Sequence, residues 1–207
     1  MDAQAAGTLL MAIFFSGLLC GANVNPTITL ANFLKKESRY KGRVLPFYFL
    51  AQFLAALSAL FWCDVLGHKR LSPLELGGGA DIFKVVSNET MGIFILVLFT
   101  LILSNPNTTF IESELSGYIS IAIFYHIARS FAPLAGLVIN PAVTLGLAVQ
   151  QAFWGKWGSL ENCWAWLLGD LLGCLLATGF YTHVYEPIIK EIREIRRKTE
   201  NFESITE

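Results

Sequence analysis

An asparagine–proline pair interrupts apolar sequence twice in this chain, in GANVNPTITLA from Gly21 to Ala31 and in GLVINPAVTLG from Gly136 to Gly146. In register on the asparagine, Gly21 falls on Gly136, Asn25 on Asn140, Pro26 on Pro141, Thr29 on Thr144 and Leu30 on Leu145. Proline at the first helical position costs no hydrogen bond and presets the backbone angle. Asparagine before it is a strong N-cap. Each pair therefore starts a helix, and starts it within hydrophobic sequence. One pattern used twice makes the chain two copies of one unit.

The neighbouring residues say in what medium those helices start. The 207-residue chain is 54% hydrophobic and 15% charged, and residues 44–62 hold no charged side chain, a length that crosses hydrocarbon as a helix. Residues 115–155 carry only His126 and Arg129 among bases and acids, and residues 162–185 only Asp170 and His183. A water-soluble domain would need polar faces on such segments, so an all-α integral membrane protein is expected. The net charge of −1 comes without a basic patch, which argues against a nucleic-acid partner. Cys20, Cys63, Cys163 and Cys174 lie in or beside apolar segments without metal-ligand spacing and read as small hydrophobes. His68, His126 and His183 are too scattered for a catalytic group. No cofactor, metal site or catalysis is expected.

Five crossings are predicted, at residues 5–19, 44–63, 90–104, 115–134 and 163–185. Residues 26–34 and 141–152 are apolar but too short to cross, so they are expected as re-entrant half-helices. Lys35, Lys36, Arg39, Lys41 and Arg43 form one basic cluster; Lys190, Arg193, Arg196, Arg197 and Lys198 form another in the tail. Four crossings separate them, so both can face the cytoplasm and Met1 falls outside. Loop 105–117 lands on the cytoplasmic side too, although it carries Glu112 and Glu114. The division expected is a membrane domain over 1–185 and a cytoplasmic amphipathic tail over 186–207, with Ile188, Ile192 and Ile195 on one helical face. That tail reads equally as a surface helix or as an extension of the last crossing.

The two half-helices enter from opposite sides, the signature of an inverted repeat whose site lies near the bilayer midplane. Irregular backbone at that depth must be buried in protein or line a wet cavity. Two positive helix ends and two asparagine amides facing one cavity favour an oxygen-bearing neutral guest and repel cations.

With Asn25-Pro26-Thr27 and Asn140-Pro141-Ala142, the chain resembles the aquaporin (major intrinsic protein) family, whose hallmark is paired Asn-Pro-Ala boxes on opposing half-helices. Ala51-Gln52 and ETMGIF from Glu89 extend the resemblance, which covers residues 5–185. It implies an inverted-repeat bundle, tetrameric, with one pore per subunit in the lipid bilayer. It also implies that residues 5–19 correspond to the family's second helix, with no counterpart of the first. Thr27 in place of alanine is similar to the divergent superaquaporin branch. Distance from the boxes transfers the outer filter to Ala5, Ala128, Leu137 and Val143, all apolar, with Val143 where most members have arginine. Arg129 either reaches the pore mouth or snorkels to the interface. Asp170 stands where a small uncharged residue or proline is usual and is expected to pair with backbone or hydroxyl, or to face a subunit contact. The function implied is a passive channel for water and small neutral solutes such as glycerol. A non-conducting structural membrane protein with the same bundle is the main rival, and a solute transporter using Asp170 the third reading.

Overall fold

The computed structural model describes Met11 and residues 23–35, 42–67, 74–76, 81–111, 113–130 and 138–206. Apart from Met11, the predicted crossing at 5–19 lies outside them. Among the described residues the chain is helical without strands: α1 Pro26–Leu34, a 3-10 turn Gly42–Val44, α2 Leu45–Val65, α3 Ile82–Ser104, α4 Glu114–Ser130, α5 Pro141–Phe153, α6 Gly158–Phe180, a π turn Tyr181–Tyr185 and α7 Glu186–Thr206.

The two half-helices stand where the sequence puts them, α1 at its expected bounds and α5 one residue longer. Both have Asn at the cap in extended backbone and Pro at the start. Helix α3 departs from expectation. It begins at Ile82, eight residues before Thr90, because the Asp81 carboxylate accepts from the Lys84 amide and caps it. Its polar first turns precede the expected crossing, yet they continue the helix to a fully buried Glu89. Helix α4 is described over Glu114–Ser130, and residues 131–134 of the expected crossing lie outside the described residues. Helix α6 starts at Gly158 instead of Cys163, with Ser159 buried and accepting from the Leu74 amide at 3.1 Å.

No loop separates the last crossing from the tail. The π turn carries α6 directly into α7, so the tail is an extension of the crossing rather than a separate surface helix. Arg193 donates to the carbonyls of Pro106 (2.9 Å) and Thr109 (2.7 Å), which fixes tail and 105–109 connection at one end of the bundle.

Three described helical stretches, Gly42–Val65, Ile82–Ser104 and Gly158–Phe202, are long and apolar enough to cross a membrane. The packing follows membrane rules, with small residues where backbones meet. The most extensive contact is α3 against α6. There Gly169 and Gly173 let the helices close until a Cβ on Gly169 would sit 2.6 Å from that of Glu89. A Cβ on Gly173 would collide with the Thr90 carbonyl. Gly146 of α5 meets the α2 backbone at Leu57 in the same manner. By contrast, α2 buries only Gln52 and presents Phe47, Leu50, Leu54 and Trp62 outward, an apolar face that hydrocarbon or another helix must cover.

Candidate pore site

The site grows from two local caps. In each box the asparagine Oδ1 accepts from the backbone N–H two residues on, Thr27 at 3.0 Å and Ala142 at 3.1 Å. That leaves each amide nitrogen pointing away from its own helix. Asn25 Nδ2 donates to the Ile139 carbonyl at 2.8 Å, and Asn140 Nδ2 donates to the Val24 carbonyl at 3.2 Å. Each asparagine thus holds the residue immediately before the other. The two half-helix N-termini therefore meet head to head, as the repeat requires.

The first box is tied down more heavily. Thr27 turns its hydroxyl back onto Asn25 Oδ1 at 2.8 Å, and Thr29 donates to the Asn25 carbonyl at 3.1 Å. Gln52, the sole buried residue of α2, donates through Nε2 to the Asn23 carbonyl (2.7 Å) and to Thr29 Oγ1 (2.8 Å). Cys174 closes the outer side, its thiol 3.2 Å from the Thr27 carbonyl.

The second box is held by an acid. Glu89 accepts from the Val138 amide at 2.7 Å and the Ile139 amide at 2.8 Å, one on each carboxylate oxygen. Ile139 needs the support: its φ is 47°, in a region that a β-branched side chain rarely adopts. Such strain costs about 1–3 kcal/mol and persists only where the surroundings over-determine it. Glu89 grips its N–H, Asn25 its C=O, and its side chain is fully buried.

Of the expected filter, Ala128 is fully buried and Val143 half-buried, while Ala5 and Leu137 lie outside the described residues. Arg129 is half-buried, its guanidinium 5.8 Å from the Tyr125 ring centre, and its charge is close enough to act on Glu89. Asp170 is 0% exposed, and no described backbone or hydroxyl donor reaches either of its oxygens. No cluster of potential metal ligands occurs among the described residues.

Residues 3–181 match the sequence model of the major intrinsic proteins. The chain belongs to the major intrinsic protein family. It is 29% identical over 189 residues to "Probable aquaporin PIP2-7" of Oryza sativa subsp. japonica, which covers 84% of this chain and 61% of that protein. It is 28% identical over 188 residues to Aquaporin-4 of Homo sapiens, covering 87% and 54%. The chain thus spans a little over half the length of these curated relatives. The aquaglyceroporin of Plasmodium falciparum superposes with a TM-score of 0.70 at 21% identity, over 87% of this chain and 79% of that one, and shows the shared fold. This major intrinsic protein is therefore an integral membrane protein built as an aquaporin-like helical bundle.

Sequence reading missed two parts of the site. The Gly169-Asp-Leu-Leu-Gly173 spacing is a small-xxx-small signal for close helix contact and was legible. The positive φ of Ile139 had no local signal, since the residue type argues against it.

Proposed function

We propose that this chain forms a passive channel for water and small neutral solutes, with its narrow middle at Asn25-Pro26-Thr27 and Asn140-Pro141-Ala142. The reciprocal bond of the two asparagines supports the reading. Each amide nitrogen carries two N–H groups, and the cross-bond uses one. The second is left to offer a guest oxygen, beside two helix N-termini that disfavour a cation.

In this reading Ala5, Ala128, Leu137 and Val143 line the outer constriction without a fixed donor, so selection rests on width and wetting. Residues 1–185 form the membrane domain with five crossings, residues 186–207 the cytoplasmic tail, and the assembly is a homotetramer in the bilayer. Stopped-flow swelling of proteoliposomes loaded with the purified chain tests it. Water flux above that of empty vesicles, with measurable glycerol flux, is the expected result. Absence of both leaves a structural membrane protein with the family bundle.

A further inference from the structure

Asp170 and Glu89 are two fully buried carboxyls at the contact of α6 with α3. They are 0% and 1% exposed, and Gly169 lays the α6 backbone directly on Glu89. Glu89 is served by donors on both oxygens, Val138 N–H and Ile139 N–H. Asp170 has no such service. No described N–H, amide or hydroxyl reaches either of its oxygens; its polar neighbour is Glu89 itself. Among the described residues Cys174, one turn on, is a further titratable group close by, and α1 and α5 contain no ionisable side chain.

Two buried carboxylates in contact repel, and an ionised one without donors is the costlier of the pair. The N–H donors on both of its oxygens make Glu89 the better seat of the two for a charge. We infer that Asp170 is a positioning residue which carries a proton and donates it as a hydrogen bond to Glu89, so that Glu89 holds the 138–139 segment and the second box in place.

The first repeat supplies an independent argument. Gly146 and Ala31 correspond in the register of the two boxes. Gly146 packs on Ala56 and Leu57 of α2, and the Ala31 backbone meets Cys174 of α6. Setting Ala56 against Cys174 sets Gln52, one turn earlier, against Asp170. Gln52 is a neutral donor: its amide bonds the Asn23 carbonyl and Thr29 Oγ1 in the segment around the first box. At the matching place Asp170 acts as a donor only with its proton on.

The test is infrared spectroscopy of the full chain in lipid vesicles at neutral pH, with carboxyl-13C aspartate, read beside thermal stability and water flux. A protonated-carboxyl C=O band that shifts on aspartate labelling and disappears in Asp170→Asn is expected. Asn can still donate, so that variant should keep stability and flux near the parent's, whereas Asp170→Val should lower both several-fold in the flux and by degrees in the melting temperature. Absence of the band, its survival in Asp170→Asn, or equal damage from Asn and Val overturns the assignment. The effect on flux rests on the channel reading. The band and the melting temperature do not, so a non-conducting parent leaves this inference to be decided by them.

Discussion

Asn25 reaches across the repeat to Ile139: its side-chain amide donates to the Ile139 carbonyl at 2.8 Å, at a residue whose φ is 47°. A cap from the first half thereby helps to hold a strained turn in the second. Asn140 returns a longer bond of 3.2 Å to Val24, whose backbone needs no such restraint. The pseudo-symmetry is therefore good in geometry and unequal in load.

That inequality predicts a difference between two matched substitutions. Asn25→Ala and Asn140→Ala each remove one cap, worth about 0.5–2 kcal/mol. Asn25→Ala also releases the Ile139 carbonyl and strands the Thr27 hydroxyl. It should lower the melting temperature in detergent further than Asn140→Ala does. Equal shifts, or the reverse order, would show that the strain at Ile139 is carried elsewhere.

Thr27 departs from the alanine of the family box, and its hydroxyl is occupied with Asn25 Oδ1 rather than with a guest. Thr27→Ala should cost about 1 kcal/mol for one hydrogen bond. Its water permeability should stay close to the parent's, because Asn25 Oδ1 keeps the backbone N–H of residue 27. A large change of permeability in swelling assays would place that hydroxyl on the conduction path.

The α3–α6 contact makes its own prediction from two glycines of one helix. Gly173→Ala drives a methyl group into the Thr90 carbonyl and to 2.9 Å from the Ile93 Cβ. About 1–3 kcal/mol of destabilisation is expected, as for overpacking in general. Gly179→Ala meets nothing within 4 Å and should be neutral or stabilising by about 0.5–1 kcal/mol through helix propensity. Denaturation in detergent, monitored by helical circular dichroism, separates the two.

Val143 is half-buried just past the second box. Val143→Arg should narrow the mouth, add a barrier to cations and reduce glycerol flux more than water flux. The check is a pair of permeabilities on purified protein with and without the substitution. High water flux without solute flux in the unsubstituted chain would move the filter away from Ala128 and Val143.

The elements that one sequence stretch could determine alone are the ones that stand where expected. Asn25 and Asn140 cap through bonds to residues 27 and 142, two positions away, so Asn-Pro fixes both half-helix starts before any tertiary contact forms. The uncharged run over 44–62 likewise needs only its own length to become α2. What tertiary structure decided are the groups whose partners lie far along the chain. Glu89 looked like the edge of a helix and became its buried middle, because its acceptors are satisfied by Val138 and Ile139, about fifty residues on. Asp170 took its place from the glycine beside it, which lets α6 close on α3. Ile139 entered its strained conformation because Glu89 and Asn25 together hold it there. A lone residue's periodicity and propensity carry no record of such partners, since the hydrogen bonds that offset burial and strain exist only after the helices have packed.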